Sequence, residues 1–207
     1  VRAMVALSLD ELGAEGFKAH FPHLRFRSEC NSIDEIMGHL LTTVYQRTAN
    51  SGPVTQSAAQ RLAEAVGAEH HLLDVGPTVS GYVSLLESAL GRHLTWEHDD
   101  LALQNIQARA RAPSVWMFAN IKGALLLSTS NRSEAAVGYA TMDGDTAGGL
   151  SPIAGIDKAF LLAWLKWLEE VGPKGMGPIH ALDVVNAQVP TAELRPPGAH
   201  QTDEADL

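Results

Sequence analysis

The short apolar run Ala124-Leu125-Leu126-Leu127 stops abruptly in Ser128-Thr129-Ser130-Asn131-Arg132-Ser133-Glu134, a cluster of hydroxyl, amide and carboxylate groups. A buried strand of an α/β protein ends in this way at a ligand crevice. Parallel strands are apolar along their length and turn their carboxyl ends toward bound molecules. The run therefore constrains both the fold class and the place where chemistry belongs.

The rest of the chain keeps a matching rhythm. Leu40-Leu41-Thr42-Thr43-Val44-Tyr45 is β-branched and aromatic and reads as a first strand, broken by Asn50-Ser51-Gly52-Pro53. A helix opening at Thr55 runs to about Val66 with Ala58, Leu62 and Val66 on one stripe, and Gly67 ends it. His71-Leu72-Leu73-Asp74-Val75 is a second strand. Pro77-Thr78 begins another helix, apolar at Val79, Val83, Leu86 and Leu90 and closed by Gly91. Asp99 or Asp100 caps a long helix from Leu101 to about Ile121, kinked at Pro113. Lys122-Gly123 ends it, and 124–128 is the third strand. Asn131 caps a short helix, and Lys158 to Glu170 is amphipathic and rich in Leu and Trp. Residues 1–38 give only a possible helix near the start and a loop-like Phe21-Pro22-His23-Leu24-Arg25-Phe26. Strands alternating with helices predict βαβ units and a parallel sheet.

Composition narrows the function classes. A chain of 207 residues suits one domain with a real core. No apolar run approaches the roughly 20 residues that span a bilayer, and no basic-plus-apolar leader opens the chain. A net charge of −9 argues against nucleic acid as the main partner. The single cysteine, Cys30, excludes an internal disulfide and suits the cytoplasm. Without a flanking signature it reads as a small apolar filler rather than a nucleophile. The nine histidines lack zinc spacing. Val1 and the polar Asp203-Glu204-Ala205-Asp206-Leu207 tail read as cut ends, so the chain is expected to be a segment of a longer protein.

Several residues invite chemistry. With Asn131 as N-cap, Glu134 falls at the capping-box position, which explains both without a ligand. Thr129, however, lies where a buried strand ends, so its hydroxyl can meet a nucleotide and the Glu134 carboxylate can hold Mg²⁺ or a substrate hydroxyl. Asn105 and Arg109 share one helix face, and a fixed guanidinium pairs bidentately with phosphate or carboxylate. The plain alternative is a solvated basic face. Asp143-Gly144-Asp145-Thr146-Ala147-Gly148-Gly149 is either a surface turn or a loop whose glycines admit a ligand. Lys158 opposes the dipole at a helix start unless an anion sits nearby. Thr191 reads as a cap. The Phe160–Leu168 stripe reads as core or as a subunit interface.

In order and spacing these pieces resemble NAD synthetase, the larger glutamine-dependent kind, from about residue 40 to the end. The most specific parts are Gln104–Arg109, Ser128–Gly149, Pro152–Lys158 and 190–207, including Gln201-Thr202-Asp203-Glu204. The resemblance implies the ATP pyrophosphatase (adenine nucleotide alpha-hydrolase-like) fold, a three-layer parallel sheet flanked by helices, over residues 1–207. It implies adenylation of the nicotinate carboxylate of deamido-NAD by ATP with Mg²⁺, then displacement of AMP by ammonia drawn from glutamine. Carried over, Thr129 and Thr191 contact ATP, Lys158 holds its phosphates and is the catalytic residue, and Glu134 holds Mg²⁺ or the dinucleotide. Asn105 and Arg109 bind deamido-NAD, with Asp145 counted beside them. A homo-oligomer and an upstream glutaminase domain are also implied.

Three departures stand out. The family's pyrophosphate-binding Ser-Gly-Gly-x-Asp-Ser loop has no counterpart here and is expected ahead of Val1; without its amides the segment is not expected to act alone. Met142 and Gly149 stand where many small members have a substrate-binding lysine and an aspartate. The His-Lys pair near the C-terminus of small members is also missing. Relatives with another acceptor, such as GMP or asparagine synthetase or tRNA thiolation enzymes, form a second reading, and a non-catalytic relic lacking the phosphate loop a third.

Overall fold

The computed structural model describes residues 1–24, 26, 30–196, 198 and 202. The chain divides into two units, one of residues 1–45, 53–72 and 162–188, the other of residues 46–52, 73–161 and 189–207.

The first unit opens with helix α1 (Arg2–His20), interrupted at Gly13, whose φ of 68° is not helical. Helix α2 (Ile33–Leu40) is not among the elements expected from sequence, although its start is written there. Ser32 accepts from the Glu35 backbone N–H, and the Glu35 carboxylate accepts from the Ser32 N–H, a reciprocal capping box. These hydrogen bonds hold the Glu35 carboxyl below its ordinary pKa. The core of this unit is Val5, Phe17, Cys30, Ile36 and Met37, with Phe21 and Phe26 packed against it. Cys30 is thus the apolar filler expected, and burial pushes its thiol pKa up.

Strand β1 (Thr42–Arg47) begins two residues later than expected, because α2 runs through Leu40. Helix α3 (Pro53–Ala65) starts at its proline, whose absent N–H is not missed in a first turn. Strand β2 (Glu69–Asp74) pairs with β1. The Glu69 N–H donates to Leu41 O and the Val75 N–H to Arg47 O, the same offset at both ends, so the pair is parallel. A short 3₁₀ turn (His180–Leu182) leads into a single helical turn, Asp183–Asn186, where Asp183 pairs with Arg61 of α3 at 3.2 Å.

In the second unit, helix α4 (Gly76–Leu90) is closed by Gly91 in the left-handed conformation. None of its residues is buried, although the Val79, Val83, Leu86 and Leu90 stripe is present as read. The long helix expected from 101 to 121 is instead two, α5 (Asp100–Arg109) and α6 (Ala112–Lys122). Pro113 has no N–H for the Arg109 carbonyl and its ring crowds that oxygen, so the break falls one turn before it. Asp99 is the N-cap of α5 by position, but its side chain makes no cap bond. Its carboxylate accepts from Arg92 at 2.7 and 2.8 Å and from the Thr95 N–H at 3.0 Å.

The third expected strand, 124–128, is also corrected. Among the described residues it pairs only at a single parallel bridge, Leu127 with Leu150. The facing segment is bounded by Gly148-Gly149 and by Pro152, residues that shorten strands. Helix α7 (Arg132–Val137) begins at the Asn131 capping box, and α8 (Lys158–Glu170) has the bounds read from the sequence. Of the apolar stripe on α8 only Leu168 is buried, while Phe160, Leu162 and Trp167 are exposed. No helix of the described residues is long and apolar enough to cross a membrane.

Candidate functional site

All seven residues singled out from the sequence belong to the second unit. Six of them lie along one continuous path. Asn105 Oδ1 on α5 accepts from Thr141 Oγ1 at 3.1 Å, and one turn on, Arg109 Nε donates to Met142 O at 3.0 Å. The Thr141 N–H donates to Asp145 Oδ1 at 2.7 Å, closing the loop tip on itself. Asp143 at that tip has φ 62°, a left-handed conformation that asparagine and aspartate tolerate best among residues with a Cβ.

From the loop the path returns to the end of the 124–128 run. Buried Ser128 donates through Oγ to Asp145 O at 3.2 Å, and its N–H donates to Leu150 O at 2.8 Å. Next in the chain, Thr129 is exposed, and Ser130 Oγ donates to Glu134 Oε2 at 3.3 Å. The alternation is that of extended backbone: Ser128 faces the protein and Thr129 faces out. Glu134 Oε2 also accepts from the Asn131 N–H at 3.1 Å, while Asn131 Oδ1 accepts from the Glu134 N–H at 3.0 Å. The second oxygen, Oε1, lies 3.8 Å from Lys158 Nζ. The Lys158 N–H donates to Ser133 Oγ at 3.0 Å, which ties the start of α8 to α7.

Glycines let the 139–150 loop lie this close. A Cβ on Gly148 would stand 2.6 Å from the Ser128 nitrogen, and one on Gly144 would stand 3.0 Å from the Ala108 Cβ. A side chain at either position would lift the loop off α5 and off the strand end.

Thr191 is exposed and sits elsewhere in the unit. Its Oγ1 accepts from the Glu193 N–H at 3.3 Å, and the chain here is irregular rather than a helix cap. The adjoining Glu193 and Leu194 bond to the turn after β1 and to Gln107, on the side of α5 away from Asn105 and Arg109. Of the Gln201–Glu204 motif only Thr202 is among the described residues; Gln201, Asp203 and Glu204, like the rest of the 203–207 tail and Arg25 of the early loop, lie outside them.

Beside Asn105 and Arg109 a groove of about 450 Å³ runs between α4 and α5, lined mainly by Tyr82, Val83, Leu86, Leu101 and Ile106. An apolar trough with an amide and a guanidinium at one side suits a flat organic ring carrying a charged group. As for metal, no three of His, Cys, Asp and Glu gather among the described residues. A carboxylate with one oxygen outside its capping box does suit Mg²⁺, which is held by one or two carboxylates together with substrate phosphates.

Ser128, Ser130, Thr141 and Gln107 lie inside the motifs quoted from the sequence, but their bonding roles are not read there. Each holds another residue rather than facing outward, and only Gln107 leaves a trace, as a polar residue between Leu103 and Ala110 on an apolar stripe.

Comparison with known proteins gives the family. The family model described as NAD synthase matches residues 36–207. A solved glutamine-dependent NAD(+) synthetase from Cytophaga hutchinsonii is 43% identical, with a TM-score of 0.80, over 95% of this chain and 33% of its own. The glutamine-dependent NAD(+) synthetase of Bos taurus is 33% identical over 191 residues, 84% of this chain and 26% of that protein. The fold is shared with the glutamine-dependent NAD+ synthetase of Acinetobacter baumannii in complex with adenosine diphosphate, 20% identical with a TM-score of 0.57 over 93% of this chain and 31% of that one. The chain thus spans about a quarter of the length of the curated relatives it matches. The α/β fold is of the ATP pyrophosphatase type.

Proposed function

Because the chain belongs to the NAD synthase family, we propose that it is the synthetase part of an enzyme that amidates deamido-NAD with ATP. A nicotinate carboxylate oxygen attacks the α-phosphorus of ATP, forming an O–P bond as the bond to pyrophosphate breaks. Ammonia then attacks the carboxyl carbon, loses a proton and expels AMP.

What supports this reading most is the unbroken path from Asn105 and Arg109 through Asp145, Thr129 and Glu134 to Lys158. It puts groups suited to a dinucleotide at one end and a cation suited to phosphates at the other. Attack at the α-phosphorus builds charge on the phosphoryl oxygens, and a fixed ammonium at Lys158 opposes it. The carboxylate nucleophile needs no base, only placement, which Arg109 supplies by pairing with a negatively charged part of the dinucleotide. Thr129 and Thr191 give hydroxyls to ATP. Glu134 would hold Mg²⁺, which when bound neutralises phosphate charge.

On this reading residues 1–207 make one ATP pyrophosphatase-type domain of a cytoplasmic enzyme. Ammonia comes from glutamine through an amidase domain elsewhere in the full-length protein. The phosphate-gripping Ser-Gly-Gly-x-Asp-Ser loop is absent from residues 1–207, so these residues alone are inactive. Exposed apolar side chains on α4 and α6, Leu86, Leu90, Met117 and Ile121, suit a homodimer or higher oligomer.

The test is exchange of labelled pyrophosphate into ATP by the full-length protein. Exchange is expected only with deamido-NAD present. Exchange with another acceptor from a panel, or none with deamido-NAD, refutes the assignment.

A further inference from the structure

Gln107 is 4% exposed and satisfies every hydrogen-bonding position of its amide. Its Oε1 accepts from Thr48 Oγ1 at 3.1 Å and from Asn50 Nδ2 at 3.0 Å. Its Nε2 donates to Leu103 O at 3.0 Å and to Leu194 O. A carboxamide has two donor hydrogens and two acceptor lone pairs, so none is left over. The orientation is fixed as well: reversed, the NH₂ would face the Asn50 NH₂ and the oxygen would face two carbonyl oxygens.

Three separate segments meet on this one side chain. They are the turn that leaves the carboxyl end of β1, helix α5, and the segment just past Thr191. The turn and the segment also touch directly, with Asn50 Nδ2 donating to Leu194 O at 2.8 Å and the Gly52 N–H donating to Glu193 Oε2 at 3.3 Å. Glu193 has φ 48°, a conformation that a residue with a Cβ holds only when its surroundings impose it. The carboxyl end of a parallel strand is where an open α/β sheet meets its ligand. Asn105 and Arg109, by contrast, bond the 141–142 backbone and side chain, so the two faces of α5 serve different loops.

We infer that Gln107 is a positioning residue for the nucleotide: it touches no substrate but locks the β1 exit turn to the Thr191 segment, so that ATP meets a rim already formed. This rests on the reading of Thr191 as an ATP contact. With the lock removed, nucleotide binding must order two loops. The dinucleotide loop on the other face of α5 keeps its own bonds.

The experiment compares Gln107→Met and Thr48→Val with wild type in the full-length protein. It measures KM for ATP, KM for deamido-NAD, kcat at saturation, and ADP binding by calorimetry, which needs no acceptor. Gln107→Met is expected to raise KM for ATP and weaken ADP about tenfold, with KM for deamido-NAD moving less than about twofold. Thr48→Val, which removes one of the four bonds together with the Asn50 N–H bond to Thr48 Oγ1 within the turn, shifts ATP in the same direction by less and decides the matter should Gln107→Met not fold. An equal rise in both KM values, or a loss of kcat with KM for ATP unmoved, overturns the inference. An active wild type whose variants leave ATP and ADP unmoved sinks this inference alone. An inactive wild type sinks the proposed function, and the ADP series then still reports on Gln107.

Discussion

Glu134 and Lys158 face each other from the first turn of α7 and the first residue of α8, with Oε1 and Nζ 3.8 Å apart. The separation is long for an ion pair and the groups are partly solvated, so the contact adds little to stability. In Lys158→Ala, pyrophosphate exchange is expected to fall by on the order of a hundredfold while the unfolding midpoint stays put. A parallel loss of both would make Lys158 structural.

Asn131 is buried and carries half of a capping box on a helix of six residues. Asn131→Ala should cost about 1 kcal/mol, or roughly 2–4 °C in Tm for a chain of this size. Asn131→Asp keeps the acceptor and should recover most of it. Equal destabilisation by both changes would mean that the cap bond is not what holds the helix.

Gly148 has no room for a Cβ, the Ser128 nitrogen standing 2.6 Å from where one would be. Gly148→Ala is expected to destabilise by about 1–3 kcal/mol and to weaken deamido-NAD binding, because the loop must lift. Gly155, with nothing within 4 Å, serves as the control: Gly155→Ala should leave stability within about 0.5 kcal/mol.

Arg109→Lys keeps the charge but loses the Nε donor to Met142 O. KM for deamido-NAD should rise while KM for ATP holds. Proteolysis in the 139–150 loop should quicken as well. A lysine variant with unaltered loop protection would show that the guanidinium does not hold the loop.

The paired Arg92 hydrogen bonds, then the Thr95 N–H, hold the Asp99 carboxyl well below the usual carboxylate range. A depressed native pKa adds stability that is complete above the unfolded value of about 3.9 and fades as pH falls through the native value. Asp99→Asn should therefore destabilise at pH 7 and progressively less below about pH 4. Urea unfolding at several pH values checks this; a gap that does not change with pH refutes it.

Period and punctuation made much of the fold legible. Gly67 and Gly91 end helices where the sequence says they should, and α8 has the bounds read from its pattern. Pro113 in the sequence implies a kink, but the cost of a missing donor falls on the carbonyl four residues earlier, so the helix divides there instead. The single bridge at Leu127 was not legible, since strand propensity says nothing about how long the facing segment can stay extended. The outward-facing site residues could be nominated by type. Their supports lie inside the quoted motifs, but the partners of Ser128 and Thr141 could not be read there, because a hydroxyl that bonds across 17 or 36 positions leaves no local pattern.

Arg109 grips residue 142 by its carbonyl, and the Met142 side chain is 70% exposed. Every amino acid offers the same carbonyl. The identity of that side chain is therefore decoupled from the architecture, and exchanging thioether for ammonium at position 142 leaves the footing of the loop as it was.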